Sequence, residues 1–209
     1  MKALKKILVL TPEYPPRMLG DVSINAHSVS KGMVKDGILT SVVTFDDWRP
    51  GETVEEGIRV SRIASPIRTF YSILTWTPLI TPEFVRASSK IIRGEGVDLV
   101  LSFEWTTGMS AMTLGTIHDL PLVCAYHSVE CQRNPFRDSP LSQGIAYLER
   151  EVAKASELVV ATNEDTAKFL RDEYGISVAK IVVTRLDGDV GSLISFCRQA
   201  VEDHEGANA

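Results

Sequence analysis

Short apolar runs alternate with amphipathic segments along nearly the whole chain, and this alternation restricts the possible folds more than any other feature. The runs occupy residues 7–10, 39–45, 97–102, 120–126, 158–162 and 180–184. Such runs are typical of strands that are buried on both faces of a sheet. Because a helical segment follows most of them, the sequence predicts a single α/β domain with a doubly wound, mostly parallel sheet flanked by helices.

Helices are predicted over about residues 23–34, 81–94, 107–115, 140–155, 164–174 and 190–202. Thr81, Pro82 and Glu83 are typical of a helix start, with a capping Thr, a Pro in the first turn and an acid near the positive end of the helix dipole. Residues 56–63 alternate in polarity and predict an edge strand. Residues 66–80 are rich in large apolar side chains, which favours either a core-covering helix and loop or the lining of a binding surface.

Charge and hydropathy exclude several classes of function. The net charge is −5, so a large basic surface for nucleic acid is not expected. No apolar run reaches the roughly 20 residues that a membrane span needs. The apolar run after the basic start is too short for a signal peptide. We therefore predict a cytoplasmic location.

The sequence contains no motif that predicts a metal or cofactor site. The chain has three cysteines and four histidines: Cys124, Cys131, Cys197, His27, His118, His127 and His204. None of them shows the spacing of a metal site, and the cysteines form no CxxC pair. No GxGxxG motif follows the first strand, so the dinucleotide fingerprint is absent as well. We predict neither a metal nor a cofactor.

The loop after the first strand, residues 11–20, is the first candidate for function, because ligands of open α/β sheets bind beyond the carboxyl ends of the strands. Its stretch Glu13-Tyr14-Pro15-Pro16, with Gly20 before the helix, resembles the first loop of glycogen and starch synthases and related retaining glycosyltransferases of the GT-B type. Three later segments resemble further motifs of that family in the same order. They are Glu104-Trp105-Thr106-Thr107-Gly108 after a strand, the segment 121–133 with His127, Glu130 and Arg133, and the segment 148–162.

The resemblance covers residues 6–184 and implies the N-terminal, acceptor-side, Rossmann-like half of a two-domain GT-B enzyme. In that family the second domain carries most nucleotide-sugar contacts, including a Glu-x7-Glu pair. Residues 183–190 stand at the position of the interdomain hinge, and about 20 residues follow. We therefore expect a domain over 1–189, a closing helix and frayed tail over 190–209, and no nucleotide-sugar domain within this sequence. Glu149 and Glu157 match the pair's spacing, but we expect them on a surface helix and its turn, by coincidence.

Among the residues that the resemblance singles out, His127 ends a buried strand and is the candidate catalytic residue. It would contact the donor sugar or the reacting centre, and the alternative is a structural loop histidine. Glu104 and Trp105 also end a strand. Trp105 can stack on a sugar ring or anchor helix packing. Glu130 and Arg133 are expected to contact substrate or to pair with each other.

The first loop supplies the other expected substrate contacts, Glu13, Tyr14, Gly20 and Asp21. In the family a second glycine follows Gly20 and lets backbone N–H groups approach the donor. Asp21 stands at that position here. Its carboxylate would repel a diphosphate by about 1–4 kcal/mol. The alternative is that Asp21 caps the first helix.

Three hypotheses about function follow. The first is the acceptor-binding half of a hexosyl transferase that binds a glycan or other sugar acceptor and meets its nucleotide sugar only with a second domain or chain. The partner would be another protein or a second copy, and Ile194, Phe196 and Val201 are candidates for an exposed apolar face that binds it. The alternative is a non-catalytic glycan-binding or regulatory remnant. A nucleotide-binding protein of another class is a weaker third hypothesis.

Overall fold

The computed structural model describes residues 3–67, 71–136, 138–188 and 190–208. Eight strands form one sheet with the order β3-β4-β2-β1-β5-β6-β7-β8. Their bounds are β1 Lys6–Thr11, β2 Leu39–Phe45, β3 Gly51–Glu55, β4 Ile58–Ile63, β5 Leu99–Phe103, β6 Leu122–Tyr126, β7 Leu158–Ala161 and β8 Ile181–Val183. All neighbouring strands are parallel except β3 and β4. The predicted doubly wound, mostly parallel sheet is confirmed.

Helices cover both faces of this sheet. Their bounds are α1 Asp21–Lys35, α2 Ile73–Glu95, α3 Glu104–His118, α4 Glu130–Arg133, α5 Pro140–Ala155, α6 Glu164–Asp172 and α7 Val190–Asn208, with a 3-10 turn at Val178–Lys180. Side chains of β1 alternate between the faces. Ile7 and Val9 pack with α1 and α7, whereas Leu8 and Leu10 pack with α2 and α3. Within the described residues, no helix is long and apolar enough to span a membrane.

The helix expected to begin at Thr81 begins earlier. In α2 the first residue is Ile73, and the hydroxyl of Ser72 caps the helix by accepting a hydrogen bond from the backbone N–H of Thr75. Pro82 therefore lies inside the helix rather than in its first turn, as does Pro78.

Burial explains why α2 continues through both prolines. Each proline removes one backbone hydrogen bond at a cost of roughly 3 kcal/mol. Trp76, Ile80 and Phe84 are all buried in the core on this face of the sheet. Each contributes roughly 1.5–3 kcal/mol by leaving water. Residues 73–80 are thus a core-covering helix, while residues 68–70 lie outside the described part of the chain.

The strand expected at the edge of the sheet lies inside it. β4 pairs with β2 on one side and with β3 on the other, so β3 forms the edge. β3 escaped prediction because it is mostly exposed and polar and has no apolar alternation.

The last helix is longer and more deeply packed than expected. α7 continues to Asn208, so residues 206–208 are helical where fraying was expected. Ile194 and Val201 lie in the core against α1 and the sheet, and Phe196 is half-buried. The prediction that Ile194 and Val201 belong to an exposed apolar face is wrong, because this side of the sheet has α7 as its cover.

Candidate functional site

The switch point of the sheet lies between β1 and β5, where the strand order reverses and ligands usually bind. Three candidate residues follow strands at this edge: Glu13 after β1, Glu104 after β5 and His127 after β6. Glu104 has a φ of 63°, in the left-handed region that non-glycine residues seldom adopt. Such conformations concentrate at functional sites. The strand passes directly into α3 at this residue.

Glu104, His127 and Asn25 form a hydrogen-bonded chain. Glu104 Oε1 accepts from the backbone N–H of His127 at 2.9 Å and lies 2.8 Å from His127 Nδ1. His127 Nε2 lies 2.5 Å from Asn25 Nδ2. Because an ionised carboxylate only accepts, Nδ1 carries the proton and the Nε2 lone pair accepts from the Asn25 amide. These partners fix the orientation of the imidazole ring and place Nδ1 on Glu104.

Two cavities meet this chain of residues. The larger cavity, of about 520 Å³, is lined by Pro12, Glu13, Arg17, Leu19, Gly20, Phe45, Asp47, Trp48, Ile73, Trp76, Glu104, Trp105, Thr106 and Arg133. The smaller cavity, of about 390 Å³, is lined by Asp21, Ile24, Asn25, His127, Thr162, Arg185, Leu186 and Asp187. Glu104 therefore borders the larger cavity and His127 the smaller one. Both volumes are in the range of small-molecule sites.

Glu13 acts as the cap of α1. Its carboxylate accepts from the backbone N–H groups of Leu19 at 2.5 Å and Ser23 at 3.3 Å. Gly20 is the N-cap residue and has no side chain to do this, and Asp21 is the first helical residue and is exposed. The expectation that Asp21 caps the helix is therefore wrong. A helix N-terminus attracts anions, and here Glu13 supplies the negative charge from within the chain.

Tyr14 lies in the core rather than at either cavity. Its ring packs edge-on against His27, with ring centroids 5.5 Å apart. Burial raises the pKa of its hydroxyl to about 12. The side chain expected to contact substrate thus supports the first loop from below.

Trp105 is a packing anchor that also borders the larger cavity. It is 5% exposed and packs in the cluster under α5. Its remaining exposed surface lines the larger cavity. Packing holds the ring in place, so the surface that it presents to a ligand is rigid.

Glu130 and Arg133 pair with each other at 3.0 Å, and Arg133 also pairs with Glu149 at 2.7 Å. Glu149 accepts further hydrogen bonds from the Glu130 N–H and the Tyr174 hydroxyl. The expectation that Glu149 lies on the surface is wrong, because α5 turns this residue inward and it is fully buried. Burial raises the pKa of Glu149.

Glu149 also compensates for the partial burial of the Arg133 charge. Burial lowers the pKa of Arg133, but the charge and hydrogen bonds of Glu149 outweigh it and raise the pKa above its usual value. Arg133 thereby fixes α4 to α5, and its side chain also reaches the larger cavity.

Sequence reasoning missed Asn25 and the aromatic residues Phe45 and Trp48 of the larger cavity. Ile73 and Trp76 also line this cavity, and they belong to residues 66–80, for which the lining of a binding surface was one of the two expectations. Asn25 had one available signal, since it is a polar residue on the otherwise mostly apolar face of α1. Trp48 had another, because a large aromatic residue within a turn-rich loop is often a surface contact.

Comparison with known proteins shows the family of the chain. Residues 22–185 match the domain described as Glycosyltransferase Family 4. The chain belongs to this glycosyltransferase family. It is 23% identical over 196 residues to a glycogen synthase of Mycobacterium tuberculosis, covering 86% of this chain and 47% of that protein. It is 29% identical over 128 residues to an uncharacterized glycosyltransferase of Methanocaldococcus jannaschii, covering 61% and 32%.

Solved structures of GT-B glycosyltransferases share the fold. Sucrose-phosphate synthase from Thermosynechococcus elongatus superposes with a TM-score of 0.73 at 15% identity, over 87% of this chain and 48% of that chain. The catalytic domain of starch synthase IV from Arabidopsis thaliana has a TM-score of 0.59 at 12% identity, over 90% and 53%. The chain spans about half the length, or less, of the curated relatives that it matches. The predicted likeness to the N-terminal domain of GT-B glycosyltransferases is confirmed.

Proposed function

We propose that this domain binds the acceptor during transfer of a hexosyl group from a nucleotide sugar. Most contacts to the donor would come from polypeptide outside these 209 residues. The observation that carries the proposal is the Glu104–His127 pair, which lies at the switch point of the sheet with one member on each of two cavities. The glycogen synthase among the relatives supports a sugar acceptor, and the starch synthase with bound ADP supports a nucleoside diphosphate sugar as donor.

Transfer forms a bond between an acceptor oxygen and the anomeric carbon, and breaks the bond from that carbon to the diphosphate. The hydroxyl proton of the acceptor passes to the departing diphosphate. An acceptor hydroxyl in the larger cavity would donate a hydrogen bond to the second carboxylate oxygen of Glu104. The imidazole of His127 would exchange its contact with Asn25 for a hydroxyl of the donor sugar. We assign His127 to the reacting centre and Glu104 to orienting both the imidazole and the acceptor.

The remaining substrate contacts in the proposal come from the same cavities. Gly20, Trp105 and Arg133 line the larger cavity and Asp21 lines the smaller one. Glu13 and Glu130 serve as supports, because their carboxylates bind the N-terminus of α1 and Arg133 respectively. We also propose a cytoplasmic location, which three buried thiols fit.

One observation favours the second candidate, a non-catalytic glycan-binding or regulatory domain. The carboxylate of Glu13 occupies the N-terminus of α1, where the family's first loop approaches the donor diphosphate. A diphosphate placed there would meet a negative charge and two N–H groups that already have a partner. Such a domain would bind saccharides and leave nucleotide sugars unbound.

Native mass spectrometry of the tagged protein, drawn gently from its source cells, is the first test. We expect a stoichiometric companion of at least about 150–200 residues, the size of one domain. Transfer from UDP- and ADP-hexoses is then measured by nucleoside diphosphate release, with and without the companion. His127→Ala should lower the rate at least about 100-fold. His118→Ala is the matched control, since His118 bonds Ser89 Oγ between α2 and α3.

The outcomes separate the two candidates. Transfer that requires the companion and His127 supports the acceptor-side enzyme. Full transfer by the 209-residue chain alone would refute the need for a second polypeptide. Saccharide binding without a companion and without transfer would replace the enzyme by the glycan-binding domain.

A further inference from the structure

We infer that the acceptor in the larger cavity carries an aromatic aglycone next to its sugar hydroxyl, instead of being a plain glucan chain. This inference rests on the proposed acceptor-binding function and specifies its substrate class. Four aromatic side chains line the cavity: Phe45, Trp48, Trp76 and Trp105. Two aliphatic side chains at the same cavity, Leu19 and Ile73, are exposed by 76% and 38%.

Trp48 is the most exposed member of this wall, at 89%. Its backbone is nevertheless held in place. Asp46 is buried after β2, and its Oδ1 accepts from the N–H groups of Trp48 at 3.0 Å and Arg49 at 3.2 Å. A fixed turn thus presents a large apolar ring to water at the cavity, where contact with an apolar ligand would recover the cost of its exposure.

Each charged side chain of the cavity has at least one partner within the protein. Arg17 donates to the Pro12 carbonyl at 3.1 Å and lies 4.8 Å from the centre of the Phe45 ring. Asp47 accepts from the Ser65 N–H at 2.7 Å. Glu13 and Arg133 hold α1 and α4, as described above. A glucan places many hydroxyl groups in such a site, and each one buried without a partner costs free energy.

One polar group at the start of α3 remains available. Among the described residues, the second carboxylate oxygen of Glu104 has no hydrogen-bond partner. Glu104 lines the larger cavity. Its carboxylate serves one ligand hydroxyl, while the aromatic wall covers an apolar body. The arrangement fits an amphipathic acceptor and suits a polyhydroxylated chain poorly.

Isothermal titration of the 209-residue chain with three probes tests this inference. Phenyl β-D-glucoside and methyl β-D-glucoside differ only in the aglycone, and maltohexaose represents a glucan. We expect phenyl β-D-glucoside to bind about tenfold or more tightly than either of the others. Trp48→Ala should remove most of that preference. Tyr147→Ala is the matched control, because Tyr147 is an exposed aromatic residue that lines a different cavity.

A circular dichroism spectrum verifies that Trp48→Ala folds, as its exposure leads us to expect. Equal binding of the two glucosides, tighter binding of maltohexaose, or no binding of phenyl β-D-glucoside would each overturn the inference. None of these results decides the proposed function, which is tested by transfer with the companion polypeptide. Conversely, a failed transfer assay leaves the measured aglycone preference intact.

Discussion

Single residues at this site use their charge for two different purposes. Glu104 borders the larger cavity and, among the described residues, has one carboxylate oxygen without a hydrogen-bond partner, whereas Glu13 and Glu149 direct their carboxylates to internal donors. Glu13 and Glu104 both follow strands at the same edge of the sheet, and the sequence alone makes these two equivalent. Their partners decide the difference, because a buried carboxylate with several donors stabilises its surroundings and is unavailable to a ligand.

Arg133→Met is expected to destabilise the protein by about 2–4 kcal/mol at pH 7, since it leaves the fully buried Glu149 without its cation. This loss of stability is smaller than that expected for breaking a fully buried ion pair, because the Arg133 side chain is 38% exposed. Urea denaturation measures the change. Arg86→Met is the control, as Arg86 forms an exposed pair with Glu83 and should cost at most about 0.5 kcal/mol.

The same variant has a predicted pH dependence. Burial already raises the pKa of Glu149 in the folded protein, so the folded state binds this proton more tightly than the unfolded state does. Removal of the cation raises that pKa further, and the stability of the variant falls as pH rises above the ordinary carboxyl range of about 4.3. The difference between Arg133→Met and the parent should therefore shrink towards pH 4. A difference independent of pH would contradict this account.

At the scale of elements, tertiary packing places prolines and a glycine inside helices, where their low helix propensity would disfavour them. α2 runs through two prolines because its apolar side chains are buried. α3 and α5 approach each other at Gly108, where an added Cβ would lie 2.5 Å and 2.6 Å from the two methyl groups of Val152. The glycine in α3 thus provides close approach of two helices.

Gly108→Ala should lower the free energy of unfolding by about 1–3 kcal/mol, although alanine favours helices by about 1 kcal/mol. Gly94→Ala in α2 is the matched control. Nothing lies within 4 Å of the added Cβ there, so it should stabilise the protein by up to about 1 kcal/mol. Thermal or urea unfolding distinguishes the two. If the added Cβ clashes with Val152, the double variant Gly108→Ala with Val152→Ala should be more stable than the sum of the two single losses predicts. Strictly additive losses would contradict this clash.

At the scale of the whole molecule, α7 belongs to the core of the domain. Its buried residues Leu193, Ile194, Cys197, Ala200 and Val201 join the cluster formed with α1 and the sheet. This apolar face of α7 is therefore not available to a partner polypeptide, and the carboxyl edge with its two cavities is the surface that the proposed function requires.

Ile194→Ala is expected to cost about 2–5 kcal/mol of stability, the range for a large buried aliphatic side chain. Ser195→Ala, its exposed neighbour in α7, should change stability by no more than about 0.5 kcal/mol. Urea denaturation at two protein concentrations measures both. A loss below about 1 kcal/mol for Ile194→Ala would return α7 to the role of an exposed interface helix.

The sequence by itself determined the class of the fold and the edge of the sheet that carries the candidate site. Buried parallel strands require continuous apolar runs, so β1, β2, β5, β6, β7 and β8 were all found. The family resemblance singled out Glu13, Glu104 and His127, and each of them follows one of these strands. The polar edge strand β3 left no such signal. The start of α2 was also misplaced, because local capping signals at Thr81 competed with burial that only the sheet provides.

Only the tertiary structure decided which candidates share a site and what each one does. The bonds that matter join residues far apart in the chain, 23 residues between Glu104 and His127 and 102 between Asn25 and His127. Local patterns carry no record of such pairs. Whether Tyr14 reaches a ligand or the core, and whether α7 faces solvent or the sheet, depends on burial created by elements distant in sequence.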